Sequence, residues 1–146
     1  MNEPTEIRYS LDEYGEPYYP ATHIKAIQGQ YKNEWFEFKV RKPIVGNYAF
    51  DGENGFVNSY RTIDMGGFKL KSLRLNARNL KNGDLLATLP DNLDLPLNPH
   101  SYDIRTPNGR NPAIITLRPD GTIRFYISDS NWSDIDYIYG QYDWIE

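Results

Sequence analysis

The side chains here that could do acid–base chemistry near neutral pH are two histidines, His23 in "YYPATHIKAIQG" and His100 in "LPLNPHSYD". A nucleophilic triad would set one of them between an activated hydroxyl and an orienting carboxylate, yet the chain has no G-x-S-x-G elbow to present a serine. It also has no cysteine, which excludes thiolate nucleophiles, thiolate metal sites and disulfides. His100 lies in a proline-bounded stretch that reads as a loop, where its ring faces water. His23, inside the alternating "ATHIKAI", reads as a hydrogen-bonded packing residue. Neither is assigned a catalytic role.

Oxygen ligands offer little more. "DSNWSD", Asp129 to Asp134, resembles the start of a calcium loop, but lacks the glycine at position six and has Gly140 where the bidentate glutamate would stand. "FDGENG", Phe50 to Gly55, is first of all a turn, and Gly66-Gly67 is a bend or bulge. Carboxylates are common, but nothing in the sequence pairs two of them at the spacing glycoside hydrolysis needs. The reading is therefore of a protein that is not an enzyme, with no cofactor, no metal site and no catalytic residues.

Aromatic residues are the unusual resource: twelve tyrosines, six phenylalanines and three tryptophans. Tyr137, Tyr139, Tyr142 and Trp144 follow closely on Trp132, with Asp134, Asp136 and Asp143 among them. Flat rings beside carboxylates can form a saccharide site, the rings stacking on C–H groups and the carboxylates accepting from hydroxyls. The candidate saccharide residues are Trp132, Asp134, Tyr137, Tyr139, Tyr142 and Trp144. The same residue types also serve at protein interfaces and in ordinary packing, where an apolar body carries a polar tip.

The elements that must position these groups are strands. "FEFKV" alternates Phe36, Phe38 and Val40 against Glu37 and Lys39. "AIITL" and "TIRFYI" flank Pro119-Asp120-Gly121 and predict a hairpin, with Ile114, Thr116, Ile123, Phe125 and Ile127 on its buried face. "FKLKSLRLNARNLK" reads as a strand burying Leu73, Leu75 and Ala77, because Asn76, Asn79 and Asn82-Gly83 interrupt a helix. Lys81-Asn82-Gly83 then predicts a hairpin into "DLLATLP", Pro107-Asn108-Gly109 follows "SYDIRT", and the last segment alternates Ile135, Tyr137 and Tyr139. Ten prolines and eleven glycines suit such turns better than long helices. The expected fold is all-β, an antiparallel β-sandwich of seven to eight strands over residues 31–146, preceded by an N-terminal arm or hairpin over residues 1–30.

Charge is unevenly spread. Glu3, Glu6, Asp12, Glu13 and Glu16 against Arg8 give the first twenty residues the whole net charge of -4. Residues 61–81 carry Arg61, Lys69, Lys71, Arg74, Arg78 and Lys81 against Asp64, while 129–146 hold five acids and no base. Two solvated faces are the plain reading, and pairing within or between subunits is the alternative. No basic excess points to nucleic acid. No apolar run reaches the length of a membrane helix, and the first residues have no apolar signal core, so a soluble, non-exported protein without membrane insertion is expected.

Two stretches resemble a known group. "DEYGEPYYPATHIKAIQG", with Tyr19-Pro20, Thr22-His23, Ala26 and Ile27 at the matching positions, is similar to a segment in tail and baseplate proteins of phages infecting Gram-positive bacteria. "SLRLNARNLKNGDLLATLPDNL" with "AIITLRPDGTIRFY" resembles the β-sandwich of their tail fibres and receptor-binding proteins. Where that pattern continues with an aromatic-Arg-Pro turn, this chain has "DNLDLPLNP". The resemblance implies a non-enzymatic component of the distal tail of the virion, made in the cytoplasm of the bacterial host. It implies other phage tail proteins as partners and a homo-oligomer, commonly a trimer. It makes Tyr18, Tyr19, Pro20 and His23 candidate interface or junction residues. Some members of the group bind host cell-wall polysaccharide, which gives the alternative of a receptor-binding module; others only scaffold their neighbours.

Overall fold

The computed structural model describes residues 10–11, 13–14, 17–18, 34–49 and 55–146, and the chain divides into two units, Met1–Gln30 and Tyr31–Glu146. In the first, β1 (Ser10–Leu11) and β2 (Pro17–Tyr18) pair antiparallel with Ser10 opposite Tyr18, around a turn at Glu13 and Tyr14. Tyr18 is the one junction candidate in this pair; Tyr19, Pro20 and His23 lie outside the described residues.

The second unit is an antiparallel sandwich. Its strands are β3 (Phe36–Glu37), β4 (Val45–Gly46), β5 (Ser59–Asp64), β6 (Lys69–Arg78), β7 (Leu85–Thr88), β8 (His100–Ile104), β9 (Ala113–Leu117), β10 (Thr122–Tyr126) and β11 (Tyr137–Ile145). These nine among the described residues exceed the seven or eight expected: neither β5 nor β4 is among the expected strands, and a two-residue pairing such as β4 carries little sequence signal. One sheet runs β11-β6-β5-β3, with β4 also on β6; the other runs β7-β10-β9-β8. A single bridge between Arg105 and Tyr139 links the strand edges where the sheets meet.

The core lies between the sheets. Leu73, Leu75 and Ala77 of β6 are fully buried, as the alternation predicted, and they face Ile115, Leu117, Ile123 and Phe125. Phe38 and Val40 pack against this cluster, whereas Phe36 of the same alternation stays exposed. The buried face of β9 differs from the expected one. Ala113, Ile115 and Leu117 point inward, while Ile114 is exposed and Thr116 half-buried. The register explains it: residues 118–121 set Leu117 opposite Ile123 and Ile115 opposite Phe125, and a one-residue offset exchanges the faces of a strand.

Asn82-Gly83 also does different work. It forms a turn, with Gly83 at φ 86°, but β6 and β7 belong to different sheets, so the chain crosses the sandwich here instead of forming a hairpin.

Polar locks complete the unit. Asn76 Oδ1 accepts from Ala49 N at 2.8 Å, and its Nδ2 donates to Ala49 O at 2.8 Å and Phe56 O at 3.1 Å. Asn58 returns the pattern on the backbone of Asn76, with Asn58 Oδ1 accepting its N–H at 2.7 Å and Nδ2 reaching its carbonyl at 2.9 Å. These amides satisfy backbone groups that no strand pairs. They fasten Tyr48 and Phe56 over the outer side of β6.

Candidate interaction surface

The strand register sorts the aromatic candidates onto opposite faces. Tyr142 and Trp144 of β11 pack against the core cluster, with Trp144 7% exposed. Tyr142 stacks on Tyr102 at 4.1 Å and 5°, and on Trp144 at 5.3 Å and 24°. Tyr137 and Tyr139, of the other parity, lie on the outer face opposite Arg78 and Asn76. Trp132 sits near the far end of β6. Its ring rests on Phe125 at 5.4 Å, and its Nε1 donates to Leu80 O at 2.9 Å. Asp134 is exposed and shares with Trp132, Lys81, Asn82 and Asp129 an open depression of about 300 Å³. The six saccharide candidates thus occupy three places: Tyr142 with Trp144 against the core, Tyr137 with Tyr139 on the outer face, and Trp132 with Asp134 at the depression.

His100 is not in a water-facing loop. It opens β8, with its ring 4.7 Å from that of Trp144 and its Nδ1 3.4 Å from the Tyr142 hydroxyl. Its Nε2 is 3.6 Å from Glu146 Oε1. Glu146 in turn belongs to an ion network around Lys71, a lysine with 0% exposure on the same inward parity as Leu73. The Lys71 ammonium meets Glu146 Oε2 at 2.8 Å, Leu95 O at 2.7 Å and Asp94 Oδ1 at 3.3 Å, and Lys69 pairs with the other Asp94 oxygen. Glu146 Oε1 also accepts from Leu97 N at 2.9 Å and Trp144 Nε1 at 3.1 Å. Burial pushes the nearby Tyr60 and Tyr102 hydroxyls well above the usual tyrosine range. One ion pair, Lys71 with Glu146, thus joins the basic and acidic sequence blocks inside the chain, while Asp94, the other carboxylate on Lys71, lies in neither block.

The calcium-like loop is internally satisfied. Asp129 accepts from Asn111 N at 2.7 Å and Asn131 N at 2.9 Å, and these hydrogen bonds hold its carboxyl below the usual range. Asp136 accepts from Arg110 Nε at 2.9 Å and Ser133 N at 2.8 Å. Among the described residues no three histidine, aspartate or glutamate side chains converge as a metal site.

The outer face of the five-stranded sheet holds what the sequence reading missed. Arg61 and Arg74 both lie over the ring of Trp35, at 4.2 and 3.9 Å from its centroid. Arg74 is also 5.1 Å from the Phe56 ring, which stacks on Tyr139 at 4.2 Å and 14°. Arg78 covers Tyr48 at 4.3 Å, and Tyr48 leans on Tyr137 at 6.2 Å. Arg74 Nε donates to Gln141 Oε1 at 2.7 Å, which fixes the plane of the guanidinium. Part of this was readable: residues 74, 76 and 78 share a parity, and Trp35 must oppose Phe36. The pairing that sets Arg61 beside them depends on register, for which the sequence has no marker.

No protein-family model matches the chain, and no curated protein matches it.

Proposed function

We propose that this chain is a non-enzymatic protein–protein interaction module, a structural component of the baseplate or tail tip of a phage that infects Gram-positive bacteria. The observation that carries the interaction reading is the arginine–aromatic platform on the outer face of the five-stranded sheet. Stiff aromatic rings and guanidiniums held by stacking are the residue types that dominate protein interfaces, and here they are ordered before any partner arrives. The tail assignment rests on the sequence resemblance. It carries with it a homo-oligomer, a trimer by that resemblance, and other tail proteins as neighbours in the virion. No cofactor enters this reading.

The alternative is a receptor-binding module for host cell-wall saccharide. Its specific support is the depression shared by Trp132 and Asp134, where a ring and a carboxylate are adjacent at an open surface. The division of the other candidate rings between opposite faces of β11 favours the first reading, since a sugar needs several groups on one surface.

Sedimentation equilibrium and cell labelling separate the two. The expected result is a discrete oligomer that does not label Gram-positive cells, while antibody to the folded chain decorates the distal tail of the particle that encodes it. Saturable labelling of cells, displaced by cell-wall saccharide and lost in Trp132→Ala, would transfer the assignment to receptor binding. A monomer whose antibody leaves the particles unlabelled would remove the tail reading altogether.

A further inference from the structure

Arg61 and Arg74 present an electrostatic problem. Two guanidiniums share one indole, and their mutual repulsion is met by no ion pair among the described residues. Other cations are treated differently: Lys69 and Lys71 of β6, and Arg110 in the loop between β8 and β9, each have a carboxylate in contact. On the outer face the register places two described carboxylates, Asp143 opposite Ser72 and Glu37 opposite Ser59, and neither reaches ion-pair distance of Arg61, Arg74 or Arg78. Asp143 instead accepts from Gln141 Nε2 at 2.9 and 3.2 Å. Burial first, then the charge of Arg74, lowers the proton affinity of Arg61, and the more distant charge of Asp143 offsets this only in part.

Stacking uses the flat face of a guanidinium and leaves its in-plane N–H donors available. The one guanidinium hydrogen bond that Arg61 or Arg74 makes among the described residues is Arg74 Nε to Gln141. The rings on either side, Trp35 and Phe56, supply apolar walls around those donors.

We infer that Arg61 and Arg74, oriented by Trp35 and Gln141, form a receptor for a side-chain carboxylate on an acidic segment of a protein partner. This rests on the interaction-module reading and gives its platform a partner chemistry. A carboxylate accepts two parallel N–H bonds from a guanidinium edge, and between two guanidiniums it cancels their repulsion. Arg78 over Tyr48 extends the same face and can take a second acidic residue. A protein segment suits the walls, because a Glu or Asp flanked by apolar side chains covers Trp35 and Phe56 as it binds.

The test is fluorescence anisotropy of a fluorescein-labelled hexaglutamate peptide titrated with the full chain at low salt, with hexalysine as the opposite-charge control. Saturable hexaglutamate binding is expected. Arg61→Gln with Arg74→Gln should weaken it about ten-fold or more, and Arg118→Gln, exposed in the turn between β9 and β10, should not change it. The pair Arg61→Lys with Arg74→Lys keeps the charge but loses the planar fork. It should still weaken binding several-fold, and it decides the matter if the glutamine pair fails to fold. Equal affinity in the lysine pair, or no binding by the parent chain, overturns the carboxylate site. So does inorganic phosphate that binds with the same arginine dependence while hexaglutamate does not. Oligomerisation on the sedimentation assay with no hexaglutamate binding would discard this site and leave the interaction reading standing. Peptide binding by a chain that stays monomeric and leaves virions unlabelled would keep the site and discard the tail assignment.

Discussion

Lys71 is where one residue carries the most consequence. A fully buried ammonium is costly unless it is matched on every side, and here Glu146, Asp94 and the Leu95 carbonyl match it. Removing the charge alone, in Lys71→Met, leaves Glu146 and Asp94 facing each other without it. The expected loss is about 3 kcal/mol, measured as a fall in the urea midpoint at neutral pH. The network also predicts a pH dependence. Burial pushes the Glu146 and Asp94 carboxyls up, but hydrogen bonds outweigh it, from Lys71, Leu97 N and Trp144 for the first and from Lys69 and Lys71 for the second. Both end below their ordinary values of 4.5 and 3.8. A carboxylate whose folded value is depressed stabilises the fold above its unfolded value, and that stability is lost as pH falls through the folded one. The urea midpoint of the parent chain should therefore drop as pH is lowered from about 4.5, and the drop should flatten in Lys71→Met. An equally steep fall in the variant would assign the acid sensitivity to other groups. Lys71 was legible as an anomaly, since it shares the parity of Leu73 and Leu75. Its partners were not, because Asp94 and Glu146 reach it only through the fold.

At the level of elements, the turn between β9 and β10 shows what a tight connection demands. Gly121 has φ 84°, and a Cβ there would stand 2.5 Å from Leu89 O, whose own N–H donates to the Gly121 carbonyl at 2.9 Å. Gly109, at φ 82° after β8, has nothing within 4 Å of the same position. Both glycines relieve the left-handed strain, but only Gly121 also makes room for another backbone. Gly109→Ala should cost about 1 kcal/mol and Gly121→Ala about 3 kcal/mol, a contrast read from paired urea titrations. Similar costs at the two sites would mean that the end of β7 can move away from the turn. Sequence marked both turns clearly, through Pro-Asp-Gly and Pro-Asn-Gly. It also marked β6, where Asn76, Asn79 and Asn82-Gly83 chose strand over helix. What it could not mark was how strands dock after a turn. The same glycine chemistry closes a hairpin at Gly121 and crosses between sheets at Gly83, and the buried face of β9 shifted by one residue with the register. Trp35, Phe56 and the three arginines were invisible as a group for that reason, since they converge through pairing and through the asparagine hydrogen bonds that hold Ala49 and Phe56.

For the molecule as a whole, the question is which unit carries the interaction. Among the described residues the core cluster runs from Ile44 to Trp144, all of it in the second unit. A chain starting at Tyr31 should therefore keep a single cooperative urea transition, as a domain with its own core does. That fragment separates two sources of association that the intact chain confounds: the junction residues Tyr18, Tyr19, Pro20 and His23 in the first unit, and the arginine–aromatic platform in the second. If the platform drives assembly, the fragment sediments as the same oligomer as the intact chain, and Arg74→Glu dissociates both. If the fragment folds but remains monomeric while the intact chain assembles, the first unit supplies the contact, and His23→Ala in the intact chain should then dissociate it. Charge gives a second handle on the same choice. The first twenty residues hold the entire net charge, so an assembly driven by them weakens steeply with added salt. A contact built on stacked rings and desolvated guanidiniums loses less, because apolar burial does not screen. Salt dependence of the sedimentation profile, compared between intact chain and fragment, thus assigns the interface to a unit before any partner has been found.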